Sequence, residues 1–394
     1  MSSTAKQPRI SIGPRVKKSP FFDATIRWGA EEFTIYNHTY LATSYGDNVR
    51  DYWSLVTDVT LWDVTCQRQI RITGPDAYKL IEFLTPRDMT GCEVGMGQYI
   101  LLTDEQGGIV NDAVMLRIKE NEYWISPGDG DVIWWIKGVV VNSGFDVEVV
   151  DPNYSPLQLQ GPKAPHVAYE LFGDWALDLK YYRLREAELD GIPVVVSRTG
   201  WSGEYCYEIY LLENDVEKGN QLWEHIMAVG KKHKIAPICP SAIRSIEGGL
   251  LSYCSDITND DNPWTIGMGK FVHFDRAGDF VGSAALRKIA DEGNKRLLVG
   301  VEIDGEPIPG NDKFWPLKSD GDEVGHITRC VYSPRLEYNI GWANVPVELS
   351  EIGTSFTLVT PDGERTATVC EAPWFKSFIG IPEELKAEIR AAAA

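Results

Sequence analysis

Basic charge is in short supply in this chain. Lys and Arg number 38 against 57 Asp and Glu, a formal net charge of −19 over 394 residues. A surface this acidic repels phosphate, which argues against nucleic acid and anionic membrane as partners. Cysteine shows no pattern. The 7 Cys fall at 66, 92, 206, 239, 254, 330 and 370 without a C-x-x-C pair. That excludes a disulfide framework and a zinc ribbon, and it fits reduced thiols in a cytoplasmic protein. Histidine is scarce, 6 in all, and none has metal-ligand spacing, so no metal site is expected. Phosphate loops are missing too. Neither Gly95-x-Gly97 nor Gly267-x-Gly269 extends to G-x-G-x-x-G, and no G-x-x-x-x-G-K-[ST] occurs. Ser202 lies in W-S-G, not in a nucleophile elbow. The most apolar run, Val132 to Val141, is too short to span a bilayer and holds Lys137. The basic residues Lys6, Arg9, Arg15, Lys17 and Lys18 are followed by no apolar stretch, so no secretory leader is expected.

What the chain does have is core-forming material. Its apolar fraction is 43% and it carries 13 Trp. Its length suits about two or three domains. Residues 1–20 read as polar and extended. Asn48 to Leu61 has helical periodicity, and Asp76 opens a helix through Phe83. Tyr99–Thr103 and Ile109–Ile118 alternate around Gln106-Gly107-Gly108, which predicts a hairpin. Asp131–Ser143 reads as a helix. Strands, hairpins and helices then recur, including strands at Ser155–Gln160, Ile192–Arg198 and Tyr207–Leu212 and helices at Gln221–His233 and Pro240–Leu251. After about residue 290 the pattern changes to strand-like runs at Arg296–Ile303, Val324–Val331, Ile340–Val345 and Ser355–Val359. We therefore expect an α+β region over 1–290, with an approximate split near 150, and a small β-barrel over 291–394.

Two of these strands carry an acid among apolar neighbours: Asp112 in Ile109-Val110-Asn111-Asp112-Ala113-Val114, and Glu208 in Cys206-Tyr207-Glu208-Ile209-Tyr210. A buried, unpaired carboxylate costs several kcal/mol, so such acids mark a pocket for a nitrogen-rich ligand. The plainer alternatives are a turn-capping Asp112 and an outward-facing Glu208. Strand alternation puts Glu208 on one face with Cys206 and Tyr210, which favours the pocket.

The two segments also carry a resemblance. Trp62-Asp63-Val64, Ile72-Thr73-Gly74-Pro75-Asp76-Ala77, Glu105-Gln106-Gly107-Gly108-Ile109, Gln160-Gly161-Pro162, Ser197-Arg198-Thr199-Gly200-Trp201-Ser202-Gly203-Glu204, Ile246-Glu247-Gly248-Gly249-Leu250 and Asp279-Phe280-Val281-Gly282 occur in order. Together they resemble the folate-dependent glycine cleavage T-protein (aminomethyltransferase) family. Ser19-Pro20-Phe21, Tyr36-Asn37-His38, Asp51-Tyr52-Trp53 and Leu250-Leu251-Ser252-Tyr253 are more similar to the family's dimethylsulfoniopropionate (DMSP) and aryl-ether demethylases than to T-protein itself.

The resemblance implies a three-domain ring of two α+β domains and a C-terminal β-barrel, with tetrahydrofolate in the central hole. It implies a catalytic role for Asp112, and folate contacts from Tyr99, Asp112, Ser126, Trp201 and Glu208. Tyr36, His38, Trp201 and Tyr210 fall on the substrate side. The implied partner is a small-molecule methyl donor, and a homodimer is an expected assembly. One position departs from the family: Ser241 stands where T-protein has a folate-binding arginine. The folate glutamate tail is then held differently, or by Arg244.

Overall fold

Strand alternation and helical periodicity resolve into two large sheets, a closed barrel and a two-stranded ribbon of Glu32–Tyr36 with Thr39–Ser44. The computed structural model describes residues 12–393, so part of the extended stretch expected at 1–20 lies outside them. The first sheet has five strands in the order Met96–Thr103, Ile109–Lys119, Glu122–Pro127, Ile70–Thr73, Glu148–Val150. Its hairpin turns where expected. Gly107 takes φ +82°, open to glycine without strain. Asp104 Oδ1 accepts from the Gln106 and Gly108 amides at 2.9 Å each. One face of this sheet, with Ile70, Ile72, Ile100, Leu102, Met115 and Ile125, packs under the helices Ala77–Leu84 and Val132–Val140.

The second sheet has six strands, ordered Leu184–Leu189, Ile192–Ser197, Cys206–Leu211, Ser155–Gln160, Val59–Asp63, Ile235–Pro237. Leu61, Leu157, Leu159, Val196, Tyr207 and Ile209 form its covered face, beneath the helices Ala164–Phe172 and Val216–Gly230. Each sheet thus buries one apolar face under its own helices, and each keeps a second face for another use.

The structure departs from the sequence reading at Asn48–Leu61. The helix stops at Thr57, and Val59–Asp63 is a strand paired antiparallel with Ser155–Gln160. Val59-Thr60-Leu61-Trp62 is buried throughout, and pairing within the sheet overrides the local helical period. This strand belongs to the second sheet, so the chain visits that domain before it builds the first. The helix expected over Pro240–Leu251 is shorter, Ala242–Glu247, because Gly248 and Gly249 follow and Gly249 sits at φ +69°.

The C-terminal strands close into a six-stranded barrel, ordered Arg296–Ile303, Tyr338–Pro346, Asp322–Ser333, Trp315–Ser319, Ser355–Thr360, Gly363–Cys370. Trp315–Ser319 and Gly363–Cys370 escape a hydrophobicity reading because the first is short and the second has polar residues outward. Closure leaves no open sheet edge.

One buried carboxylate joins three parts of the chain where the barrel docks. Glu247 Oε1 accepts from Tyr52 Oη at 2.7 Å and from Ser333 Oγ at 2.6 Å, and its Oε2 accepts from Arg335 Nη2 at 2.6 Å. Glu247 itself is 0% exposed. The Asn48–Thr57 helix, the linker helix and the barrel therefore meet on two oxygen atoms. Removing one partner of a buried ion pair strands the other. Glu247→Ala should cost about 3–5 kcal/mol of stability and free the barrel for early proteolysis. Denaturant unfolding and limited proteolysis check both effects, and an unchanged midpoint contradicts the docking role.

Candidate active site

The second faces of the two sheets turn toward each other. Leu116, Ile118 and Trp124 from the first sheet pack against Leu184, Val195 and Tyr210 from the second. Trp124 meets Tyr210 edge-on, with centroids 5.8 Å apart. Beyond this apolar contact both faces become polar.

On the first sheet, cross-strand register aligns Tyr99, Val114 and Ser126 in one row and Leu101 and Asp112 in the next. Tyr99 Oη donates to Asp112 Oδ2 at 3.0 Å. A Cβ on Gly128 would stand 2.9 Å from Tyr253 Cβ and 3.3 Å from Asp112 Oδ1, so only glycine lets that turn close beside the acid. Burial is the main force on the Asp112 carboxyl. Partly offset by the Tyr99 bond and reinforced by Asp256, it pushes the pKa up to about 6. Tyr36 lies near as well: burial, then Cys66, Asp112 and Asp129, hold its phenol far above the ordinary range. Tyr36, Tyr99, Asp112 and Tyr182 all keep some exposed surface, yet burial is the largest cause of the raised pKa in each. Tyr99 and Asp112 stand on the inner face of the first sheet beside the apolar contact, and that side is the candidate cleft.

On the second sheet, Glu208 is 3% exposed and held by neutral donors. Gln158 Nε2 donates to its Oε1 at 2.6 Å, while Tyr210 Oη donates to its Oε2 at 2.7 Å and Thr199 Oγ1 donates to the same oxygen. Gln160 Nε2 in turn donates to Gln158 Oε1 at 2.9 Å. Gly200 is needed here because a Cβ would collide with Cys206 Sγ.

The structure thus brings Tyr36, Tyr99 and Asp112 together on one wall, and Glu208 and Tyr210 on the other. Ser126 is buried in the Tyr99 row, where it accepts from Gln69 Nε2 at 2.9 Å. Trp201 lies at the junction with the barrel: its Nε1 donates to the Leu251 carbonyl at 3.1 Å and the Arg329 guanidinium is 5.7 Å from the ring. His38 is not brought to the cleft. Asn37 and His38, at φ 46° and 58°, form the two-residue turn between Glu32–Tyr36 and Thr39–Ser44. The His38 imidazole is exposed, 3.0 Å from Asp131. Ser241 is a helix N-cap, accepting from the Arg244 amide at 3.3 Å. Arg244 is 1% exposed and its Nε donates to Glu204 Oε1 at 2.7 Å, so its charge is already paired inside the protein. The structure adds Thr199, Gln158, Gln160 and Tyr182 to these residues. The strict alternation Leu157-Gln158-Leu159-Gln160 is the signal that reveals two of them. Tyr182 carries no such signal.

This cleft between two α+β domains, with a closed barrel docked beside them, defines the three-domain aminomethyltransferase fold. Glycine cleavage system aminomethyltransferase T from Bartonella henselae matches it with a TM-score of 0.82 at 20% identity, over 93% of this chain and 100% of that one. The GCVT N-terminal domain model matches residues 21–276, and the glycine cleavage T-protein C-terminal barrel model matches residues 296–376. The chain belongs to the glycine cleavage T-protein family. It is similar to the dimethylsulfoniopropionate demethylase DmdA of Ruegeria pomeroyi, 36% identical over 91% of this chain and 98% of that one. It is also similar to the aminomethyltransferase of Symbiobacterium thermophilum, 30% identical over 92% and 98%. The protein is accordingly a tetrahydrofolate-dependent transferase.

The residues present fit that cofactor. Gln69 Oε1 and Gln160 Oε1 are buried acceptors with no partner, one on each cleft wall. With Asp112 and Glu208 they make the cleft rich in acceptors, and a reduced pterin edge is rich in N–H donors. Glu208 and Asp112 would hold the ring.

The raised Asp112 pKa has a sign. Between an unfolded carboxyl pKa of about 3.9 and the folded value of about 6, the folded state keeps a proton that the unfolded chain releases. Ionising Asp112 therefore weakens the fold as pH rises through that window, and Asp112→Asn removes this loss. Turnover should run the other way, rising with pH through about 6 as the carboxylate forms. Asp112→Asn should abolish that limb and lower kcat by about 10²–10³ fold while tetrahydrofolate still binds. Equal turnover in wild type and variant refutes the role.

Proposed function

We propose that the protein moves a methyl group from DMSP to N5 of tetrahydrofolate, giving 3-methylthiopropanoate and 5-methyltetrahydrofolate. The observation that carries this reading is the state of the phenols around the cleft. Tyr36, Tyr99 and Tyr210 are all shifted upward, chiefly by burial, and the last two also by the carboxylates they bond. Phenols so shifted hold their protons and are poor general acids. An aryl methyl ether needs such an acid, because its leaving oxygen must be protonated. A sulfonium needs none: the C–S bond breaks with its electron pair on sulfur, and a neutral thioether leaves.

Tetrahydrofolate, when bound, supplies the N5 electron pair that takes the methyl carbon. Asp112, with a pKa of about 6, suits acceptance of the proton displaced from that nitrogen. Glu208 orients the ring, fixed by Gln158, Thr199 and Tyr210. The aromatic walls and the two carboxylates favour a cation, and enclosure keeps water from the reacting methyl. The greater likeness to the demethylase, 36% against 30% for the aminomethyltransferase, supports the same reading. The second reading, aminomethyl transfer, draws on those aminomethyltransferase relatives. Ser241 in place of the T-protein arginine counts against it.

The test is incubation of pure protein with tetrahydrofolate and DMSP, vanillate or an aminomethylated lipoyl carrier, with mass spectrometry of the folate products. We expect 5-methyltetrahydrofolate from DMSP alone. Methyl transfer from vanillate alone would make the protein an O-demethylase, and 5,10-methylenetetrahydrofolate from the carrier alone an aminomethyltransferase.

A further inference from the structure

Arg87 is a half-buried cation in an acidic protein, and it has no acid. Its Nη1 donates to the Tyr99 carbonyl at 2.6 Å. Its Nε and Nη2 have no hydrogen-bond acceptor, and no Asp or Glu pairs with it, among the described residues. Arg198 offers the contrast. Also unpaired with an acid, it spends all its nitrogens on the carbonyls of Leu179, Cys206 and Ile379. Arg87 uses one corner and leaves the Nε–Nη2 edge open, which is the fork that matches a carboxylate with two parallel bonds.

Its surroundings place the guanidinium beside the candidate cleft. The guanidinium lies 4.5 Å from the Phe271 ring, and the Phe271 ring is 5.9 Å from that of Tyr99, the residue bonded to Asp112. Lys270 Nζ is 5.3 Å from the same Phe271 ring, a second cation at the same spot. The groups that act on Arg87 are Tyr182 and Cys92, and Tyr182 is the cleft residue that also feels Glu208. Burial lowers the Arg87 pKa with no carboxylate to offset it. A cation kept under these conditions is completed by an anion from outside the chain.

We propose that Arg87 anchors a carboxylate of the ligand in the cleft, through its free Nε–Nη2 edge. This rests on the folate-dependent reading above. Two ligands bring such a carboxylate: tetrahydrofolate through its glutamyl tail, and the methyl donor through its propionate. If the glutamyl tail is the anchored group, Arg87 fills the gap left by Ser241 from a different stretch of chain.

The test compares wild type with Arg87→Gln by calorimetric titration under anaerobic conditions. The ligands are tetrahydrofolate, its des-glutamyl analogue tetrahydropteroate, and DMSP. A charged hydrogen-bonding pair of this kind is worth about ten- to a hundredfold in affinity. If the tail is the anchor, wild type binds tetrahydrofolate that much more tightly than tetrahydropteroate, and Arg87→Gln erases the difference and leaves DMSP unchanged. If the donor is anchored, the folate difference survives and DMSP affinity falls by that factor. Either result supports the proposal. Arg87→Lys, which keeps charge but not the fork, gives the same comparisons should Arg87→Gln not fold. Unchanged affinities for all three ligands, with wild type binding folate, overturn the anchor alone. No folate binding by wild type overturns the folate reading and the anchor together.

Discussion

The buried carboxylate of Glu247 is the constraint on which the arrangement of domains depends. Its two oxygens take Tyr52, Ser333 and Arg335, which come from separate parts of the chain. Two more ion pairs sit close by in the linking segment. Arg244 meets Glu204 at 2.7 Å, and Arg329 Nε meets Asp256 Oδ2 at 2.7 Å. Buried pairs add little net stability compared with apolar packing, but any other docking leaves a charge unpaired in the interior. They therefore select one orientation of barrel and linker against the two sheets. Trp201 shares that joint through Leu251 and Arg329, which ties one edge of the cleft to the same orientation.

Given that orientation, the chemistry follows from how each sheet divides its faces. The helix-covered faces are mainly apolar. The inner faces are apolar only where Leu116, Trp124, Val195 and Tyr210 make contact. Beyond the contact they carry Asp112, Ser126, Gln69, Glu208, Gln158 and Gln160. Two of their oxygens, Gln69 Oε1 and Gln160 Oε1, are buried acceptors without an internal donor. A ligand edge with N–H groups completes them, whereas an anionic group must look elsewhere. Arg87 stands at that elsewhere, beyond Tyr99 from Asp112.

Much of this was legible in the chain, and the limits are physical. The hairpin around Gly107 and the strand alternation near Glu208 are local signals, so Asp112 and Glu208 could be found. The strand Val59–Asp63 could not, because its pairing with Ser155–Gln160 is set by residues far away in sequence. His38 is placed by the turn rather than by its neighbours in sequence: the two-residue turn sends its ring outward to Asp131. Tyr182 and Arg87 lie in irregular segments whose spacing carries no period. Their proximity to Glu208 and Tyr99 exists only in the folded chain.

One physical cause then sorts the candidate acids and bases. Withdrawal from water disfavours the charged form of Asp112 and of the phenols around it and around Glu208. For a carboxyl this moves the pKa upward toward neutrality, and Asp112 arrives near 6, where a base is useful. For a phenol the same displacement starts from about 10 and moves away from neutrality, so Tyr36, Tyr99 and Tyr210 are driven out of the range where an acid is useful. A cleft that equips its aspartate as a base thereby disarms its tyrosines as acids. Such a site favours a donor whose leaving group departs neutral and needs no proton, which is the property of a sulfonium and not of an ether.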